Sequence, residues 1–471
     1  MGGNERPGAV CNGSMRRYRK QAEIREIEVD GTTVRVRRGR DGQLGDDEFR
    51  SFQGPSSAFW EADRLGASWE AEGFELVERD DEAGLLSHEA FEQALREDPD
   101  NLDSYLVYGD WLQSRGDPRG ELIATQFAVM NESDPVRRQQ LERQATALYF
   151  RHRRHLWGEL GEMVVSTAHQ LYANDMFRAD WHLGFIRTAR FEPDELDLDL
   201  GDLSFGEVMR IFLALDSAQL LRDMRIRAKP SQEHETPEER ADEVAALGAV
   251  VAAVADHAPA TLQALLIGEL DDRWNHLPAL ALPCDGPRLR GLRRLHVCVE
   301  DLQLKGPLPA GLERISFDVA RNASRLAEIL AEVPRPALTS LALRILQEEA
   351  RYEGVRFDAS ALQPILRGSG APRLTSLAVR GTLGTDLLCR EIAAGSLAGR
   401  LEHLDLAFGD LGASGVDALV TGGFDSLHTL VVQYNRLSED DIARLGDRFP
   451  VVRALPQEPA ASDPDASAVP G

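Results

Sequence analysis

The C-terminal third of the chain repeats a fixed pattern of apolar positions. Leucines stand at L-x-x-L-x-L-x-x-x-x-L spacing from residue 401, and the same pattern returns from residue 427 with valine at one position. The set comprises Leu401, Leu404, Leu406 and Leu411, then Leu427, Leu430, Val432 and Leu437. Alternating apolar residues predict a strand with one buried face, and the apolar stripe that follows each set predicts a helix. A unit of this size cannot bury its own stripe, so the pattern predicts stacked units.

Six earlier leucines begin similar but less regular units: Leu221, Leu262, Leu292, Leu312, Leu338 and Leu374. Together with Asn435, this spacing resembles the leucine-rich repeat. The resemblance implies an α/β fold, a ribonuclease-inhibitor-like solenoid of parallel strands and helices over residues 180–455, with about seven to eight repeats. Residues 185–191 are predicted to form a first strand that caps the array, and residues 229–242 and 347–358 are predicted to be polar insertions.

The segment from residue 15 to 80 has a different pattern. Two strands joined at Asp30-Gly31 are predicted, because Asp-Gly favours a hairpin turn and Val34 and Val36 alternate with polar residues. Apolar residues from Phe59 to Phe74 then predict a helix. With its glycines at Gly39, Gly42, Gly45 and Gly73, the segment resembles a WGR domain, the small β-rich module of some poly(ADP-ribose) polymerases and many bacterial proteins. Arg38 stands where that family has its tryptophan.

The basic character of this segment allows two interpretations. Between Arg16 and Arg40 there are nine Arg and Lys residues against four Asp and Glu residues. The WGR resemblance implies contacts with nucleic-acid ends, and a basic strand carrying Arg35, Arg37, Arg38 and Arg40 could bind phosphates. In the alternative interpretation these arginines are only the solvated face of an amphipathic strand.

Residues 88–160 are predicted to form a small helical domain. The motifs are Asp98-Pro99-Asp100, Asp110-Trp111-Leu112 and the run from Arg115 to Glu121. They closely resemble the repeat-companion domain of myxobacterial and planctomycete proteins, with Gly109 as the notable change. In that family the domain accompanies repeat arrays and has no established activity. We expect Asp117 to cap a helix, and Arg115 and Arg119 to pair with Asp110 or Glu121.

Net charge, cysteine spacing and the lack of catalytic motifs exclude several classes of function. The net charge of −25 argues against nucleic-acid or membrane-surface binding by the chain as a whole. Cys11, Cys284, Cys298 and Cys389 are scattered and predict neither a disulfide framework nor a metal site. We therefore expect a cytoplasmic protein without cofactors or membrane spans. No complete catalytic motif occurs, so we expect no enzymatic activity. Residues 1–14 and 456–471 are predicted to be disordered, with Met15 as the functional start.

Between the buried positions of each repeat strand, the polar positions should share the concave face of the sheet. Arginine is enriched there, which points to an acidic or phosphate-bearing protein partner, unless the arginine stems only cover apolar sheet surface. The predicted partner-binding residues are Arg225, Arg227, Arg294, His296, Arg344, Arg380, His403, Asp405 and Gln433. The sequence thus predicts a protein-interaction scaffold or, alternatively, a nucleic-acid-associated adaptor that uses the WGR-like segment.

Overall fold

The computed structural model describes residues 14–30, 33–40, 43–45, 47–51, 61–62, 65–66, 68–80, 88–160, 177–192, 203–227, 237–268, 277–345 and 357–457. Most of the predicted disordered stretches 1–14 and 456–471 lies outside these residues, as does most of both predicted insertions. Cys11, Gly42 and Phe59 also lie outside them. The chain divides into two compact units. The first contains Met1–Leu156 and His182–Phe185, and the second contains Trp157–Trp181 and Ile186–Gly471.

An antiparallel sheet forms the N-terminal part of the first unit. Its strands are β1 (Ser14–Lys20), β2 (Glu23–Asp30), β3 (Thr33–Arg40), β4 (Gln43–Leu44), β5 (Glu48–Ser51) and β6 (Glu75–Asp80). The order is β4-β3-β2-β1-β6, with β5 also paired to β3. The predicted hairpin is confirmed, because β2 and β3 pair from Asp30 opposite Thr33 to Glu23 opposite Arg40.

The core beneath this sheet contains the predicted valines and the residues of the predicted helix. Residues 61–62, 65–66 and 68–71 are helical. The buried side chains are Tyr18, Ile27, Val34, Val36, Ala62, Leu65, Trp69 and Phe74. Tyr18 meets Trp69 edge to face, with ring centroids 5.4 Å apart. Gly73 has a φ of +88°, and a glycine there lets the chain turn from the helix into β6.

Five helices follow in chain order: α1 (His88–Glu97), α2 (Leu102–Ser114), α3 (Pro118–Asn131), α4 (Pro135–Arg151) and α5 (Arg153–Trp157). Asp117 caps α3 by accepting a hydrogen bond from the backbone of Arg119, as predicted, with Pro118 in the first helical position. The helix therefore starts at Pro118, because an Asp-Pro pair is a strong start signal. Asn101 and Asp134 cap α2 and α4 in the same way.

Two glycines allow α2 and α3 to approach closely. A Cβ atom on Gly120 would lie 2.6 Å from the carbonyl oxygen of Gly109, and one on Gly109 would lie 3.0 Å from Ile123. Tyr108 is buried beside them, stacks on Phe91 at 5.4 Å and donates its hydroxyl to Glu92 at 3.1 Å. Gly109, which departs from the resembled family, is thus explained by packing.

The second unit contains a large, mostly parallel sheet. Its strands, with the short β15 and β17 that pair separately, are β7 (Phe177–His182), β8 (Phe185–Phe191), β9 (Asp223–Ile226), β10 (Ala264–Ile267), β11 (Leu277–Pro283), β12 (Arg294–Lys305), β13 (Arg314–Arg321), β14 (Ser340–Ile345), β15 (Phe357–Asp358), β16 (Ser376–Arg380), β17 (Thr382–Leu383), β18 (His403–Asp405), β19 (Thr429–Val431) and β20 (Val451–Arg453). The order is β7-β8-β9-β10-β12-β13-β14-β16-β18-β19-β20, with β11 paired to β12. All neighbours from β8 to β20 are parallel.

Helices connect most of these strands. They are α6 (Phe205–Leu213), α7 (Pro237–His257), α8 (Ala323–Glu332), α9 (Gln363–Leu366), α10 (Thr385–Ala393), α11 (Ala413–Thr421) and α12 (Glu439–Arg448). Successive helices pack on one another, as α6 does on α7 and α10 does on α11. Residues 306–313 join β12 to β13 without a helix, which explains the short spacing between Leu292 and Leu312.

A common turn sets the register of all eight predicted repeats. In each, the backbone N–H of the leading leucine donates to the carbonyl three residues earlier, and the strand begins two residues later. The donor–acceptor pairs are Leu221–Ala218, Leu262–Pro259, Leu292–Leu289, Leu312–Pro309, Leu338–Arg335, Leu374–Ala371, Leu401–Ala398 and Leu427–Phe424. All eight predicted strands are present, each beginning two residues after its predicted start, and Phe185–Phe191 forms a strand as predicted. It is not the edge strand, because β7 lies outside it. Strands β7, β11 and β20 were not predicted.

Asn435 joins two consecutive repeats at the C-terminal end of the array. It is fully buried, donates to the carbonyls of Leu406 and Val432 at 2.9 and 3.0 Å, and accepts from the backbone of Leu411 at 2.9 Å. The fold continues past the predicted boundary at residue 455, because Gln457 donates to the carbonyl of Val432 at 2.9 Å.

Candidate functional site

The polar positions of the repeat strands lie on one side of the large sheet, which we call the ladder face. Strand register defines its three rows. The first is Asp223, Ala264, Arg294, Arg314, Ser340, Ser376, His403 and Thr429; the second is Arg225, Leu266, His296, Ser316, Ala342, Ala378, Asp405 and Val431; the third includes Cys298, Asp318, Arg344 and Arg380. Arg227 and Gln433 stand two residues beyond Arg225 and Val431 and extend the third row. All nine predicted partner-binding residues therefore lie on this face.

Two buried aspartates hold arginines of the third row. Asp318 is 1% exposed and accepts from Arg344 at 3.0 and 3.1 Å. Asp405 is 3% exposed, accepts from Nε of Arg380 at 2.8 Å, and uses its other oxygen to accept from the backbone of Ala407 at 3.1 Å. Hydrogen-bonded, ion-paired carboxylates can remain charged in such positions. The aspartates thus fix the guanidinium groups in place.

Two further arginines of the predicted set also have acidic partners. Arg227 pairs with Glu192 at 2.8 Å, and Arg294 pairs with Asp223 of the neighbouring first row. By contrast, Arg225 and Arg314 are exposed and have no ion pair with any residue that the structure describes. Four of the five predicted arginines are therefore neutralised by carboxylates, which weakens the argument from arginine enrichment for an acidic or phosphate-bearing partner.

His296 and Cys298 belong to the same polar cluster as Asp318. The ring Nδ1 of His296 lies 3.7 Å from Asp318. Burial lowers the pKa of His296, an effect that Asp318 opposes and Arg344 reinforces. Burial raises the pKa of the Cys298 thiol to about 12, with Asp318 adding to the effect. A protonated thiol is a poor nucleophile.

Two aromatic residues adjoin the third row at its C-terminal end. Phe408 and Tyr434 occupy equivalent positions in consecutive repeats and stack with ring centroids 4.3 Å apart. Both have positive φ, 61° and 54°, and Gly381 has a φ of 76° at the same position one repeat earlier. Left-handed backbone is unfavourable for aromatic residues, so these two positions retain aromatic side chains against a conformational cost. The sequence pattern alone did not identify this pair.

The basic strand of the first unit is extensively paired with carboxylates. Arg35 donates to Glu28 at 3.0 Å and to Asp47 at 2.7 Å. Arg37 lies 2.9 Å from the buried carboxylate of Glu26, and Arg38 lies 3.7 Å from Glu48. The hydrogen bond from Arg35 lowers the pKa of Asp47. Arg40 is exposed and has no ion pair within the described part of the chain.

Another polar cluster, in the first unit, lies at the start of α3. Arg119, almost fully buried, donates to both oxygens of Asp117, with the shortest distance at 2.8 Å, and His155 lies 3.1 Å from the same carboxylate. Hydrogen bonds from His155 and Arg119 lower the pKa of Asp117 despite its burial. The predicted pairing of Arg119 with Asp110 or Glu121 is wrong, because Asp117 is two residues away and already faces the helix start. Arg115 instead stacks over the ring of Trp111.

No family model matches this chain, and no curated protein does. Among solved structures, a Bacteroides fragilis protein is similar at 15% identity, covering 94% of this chain and 95% of that chain, with a TM-score of 0.40. A Listeria monocytogenes internalin is similar at 12% identity, covering 57% of this chain and 82% of that chain, with a TM-score of 0.24. The description of the fold therefore rests on strand register and not on these two proteins.

Neither a metal-binding cluster nor a membrane-crossing helix is found in the described ranges. They contain no group of three or more His, Cys, Asp or Glu side chains that could hold a metal ion. They also contain no helix with the length and apolar character needed to cross a membrane.

Proposed function

We propose that this chain is a non-enzymatic protein-interaction scaffold with a ribonuclease-inhibitor-like leucine-rich-repeat array. The observation that carries the proposal is the ladder face. It aligns three rows of side chains across consecutive parallel strands, and buried aspartates hold two of its arginines, Arg344 and Arg380. Arginine and tyrosine are frequent among residues that dominate binding energy at interfaces, and side chains that are ordered before binding lose less entropy on association.

The partner proposed for this face is a protein. Arg344 and Arg380 are half-buried, and the stacked Phe408 and Tyr434 follow in the next two repeats, so the face offers planar groups with polar edges. An acidic partner would find its unpaired cations at Arg225 and Arg314. Because the other arginines already have carboxylate partners, we propose that shape and hydrogen bonding contribute more to recognition than net charge.

We further propose that the first unit contains the WGR-like module and the repeat-companion domain. The antiparallel sheet with its helical segment supports the former, and helices α1 to α3 with the Asp117 cap support the latter. A reducing, cytoplasmic location is also part of the proposal, supported by the unpaired cysteines Cys284, Cys298 and Cys389. The ion pairs of Arg35 and Arg37 count against the nucleic-acid adaptor.

Site-specific photo-crosslinking tests the scaffold proposal in cells. A photo-reactive amino acid is placed at position 340 or 376 on the ladder face, and at position 328 or 390 on the helices. We expect ladder-face positions to form an adduct with the same protein, and helix positions to form none with it. An adduct formed only from the helix positions would contradict the proposed surface.

A further inference from the structure

One of the eight common turns contains a residue that does not fit its position. Three residues before the leading leucine, seven repeats have a small or apolar residue: Ala218, Pro259, Leu289, Pro309, Ala371, Ala398 and Phe424. The eighth has Arg335, whose backbone makes the same turn to Leu338. All of these positions are buried except the half-buried Pro259, so the fold places an arginine where it otherwise uses apolar packing.

Arg335 is buried without a counter-charge. The residue is only 5% exposed, and its Nε is buried with no hydrogen-bond partner. Among the described residues no carboxylate pairs with it. Burial lowers its pKa, yet an arginine keeps its proton under physiological conditions. An unpaired buried charge is strongly unfavourable unless a ligand compensates for it.

Arg400 shows how this array satisfies an arginine that has a structural role. It donates to the carbonyls of Leu374, Gly368, Ala371 and Ser396 at 2.9 to 3.2 Å. Those bonds join two consecutive repeats and use all three guanidinium nitrogens. Arg335 makes no comparable set, so joining repeats does not account for it.

The neighbour that interacts electrostatically with Arg335 is neutral. Burial raises the pKa of the Cys284 thiol to about 12, although the guanidinium of Arg335 acts in the opposite direction. Cys284 follows β11, is 3% exposed, and its backbone N–H donates to the carbonyl of Lys305 at 2.7 Å. With the thiol protonated, the positive charge of Arg335 stays uncompensated.

We propose that Arg335 binds an oxyanion, either a carboxylate or a phosphate group, in a subsite beside Cys284. The two terminal nitrogens of a guanidinium form a planar end-on fork that matches two oxygens of such an anion. The narrow remaining exposure of the residue gives a small anion access. This subsite is independent of the ladder face, because it uses none of that face's residues.

Thermal unfolding of the full chain tests the proposal, with inorganic phosphate and acetate as probes and potassium chloride at equal ionic strength as reference. We expect at least one oxyanion to raise the melting temperature saturably by about 1–3 °C. Arg335→Met should abolish the rise. Arg335→Lys keeps the charge but loses the fork, and should weaken the apparent affinity about tenfold. A response to phosphate alone or to acetate alone identifies the class of anion.

Two matched controls separate binding from folding. Arg314→Met removes an exposed, unpaired arginine and should keep the rise. Arg400→Met removes the structural arginine and should lower the melting temperature in chloride, whereas Arg335→Met should not. The proposal is overturned if neither oxyanion acts, or if Arg335→Met or Arg335→Lys keeps the full response. It is also overturned if Arg335→Met destabilises the chain in chloride as much as Arg400→Met does.

Discussion

Arg344 reaches across from β14 to Asp318 on β13 and donates from one terminal nitrogen to both carboxylate oxygens, at 3.0 and 3.1 Å. The acid is buried beneath the arginine, which remains half-buried at the surface of the sheet. Arg380 and Asp405 form a similar pair between β16 and β18, with two guanidinium nitrogens on one carboxylate oxygen. Each arginine therefore has two roles, because it offers polar edges to solvent and also neutralises a buried carboxylate.

Removing one partner of such a pair should destabilise the second unit. For Arg344→Met we expect the free energy of unfolding to fall by about 2–4 kcal/mol, since Asp318 would be left buried without its counter-charge. Urea unfolding measures this change. The double variant Arg344→Met with Asp318→Leu should recover at least half of the loss, and Arg314→Met should change stability little. Equal losses in the single and double variants would show that the charge pairing is not the cause.

Asn435 should contribute to stability through its three buried hydrogen bonds. Asn435→Ala removes the side-chain partner of the backbone N–H of Leu411 and of the Leu406 carbonyl, so we expect a loss of about 2–4 kcal/mol in the free energy of unfolding. His428→Ala, an exposed neighbour in the same repeat, should stay within about 0.5 kcal/mol of the wild type. Comparable losses of stability for the two substitutions in urea unfolding would show that the buried hydrogen bonds of Asn435 do not stabilise the repeats.

His296 should make the stability of the second unit depend on pH. Burial lowers the pKa of His296 in the folded chain, whereas the pKa of a histidine in the unfolded chain is about 6.5. Below that pH the unfolded chain binds more protons than the folded chain, so the free energy of unfolding falls as the pH drops. Compared with His296→Gln, the wild type should lose relative stability between pH 7 and pH 5.5 and none between pH 7.5 and 8.5. A constant difference across both ranges would contradict this explanation.

Nucleic-acid binding by the basic strand is expected to be weak. Because Arg35 and Arg37 already pair with carboxylates, the full chain should bind labelled duplex or nicked DNA no more tightly than about 10 µM at 0.15 M salt. Fluorescence anisotropy at two salt concentrations measures this affinity. Asp47→Asn with Glu28→Gln should strengthen binding, since Arg35 would be released. Tight, salt-sensitive binding by the wild type that is lost in Arg35→Ala with Arg38→Ala would support the adaptor instead.

The leucine spacing was enough to predict most strands of the large sheet, because each leading leucine fixes a local turn and the alternation that follows fixes the buried face. Asp117 could likewise be predicted as a cap from its position before Pro118. Asp318 and Arg344 could not be paired in advance, since their contact depends on the register of two strands. Phe408 and Tyr434 were also missed, because no sequence pattern reports a positive φ at an aromatic residue.

Arg335 shows why one candidate site was overlooked. In the sequence it resembles any polar residue between a helix and a strand, and Pro334 and Pro336 suggest only a turn. Its unusual position becomes visible when the eight repeats are aligned by their common hydrogen bond. Strand β11 was missed for a different reason: its apolar residues follow no leading leucine, and its pairing with β12 is not local.

Binding of the crosslinked partner, purified, to variants of the ladder face tests the central claim most directly. Arg344 and Arg380 are unsuitable for charge reversal because they neutralise buried aspartates, so Arg225→Glu with Arg314→Glu is preferred. We expect this double variant to lower the affinity about tenfold or more. Arg325→Glu, an exposed change on α8, should alter it less than about twofold. Unchanged affinity in the ladder-face variant, or an equal loss in the α8 control, would contradict the assignment of this face as the binding surface.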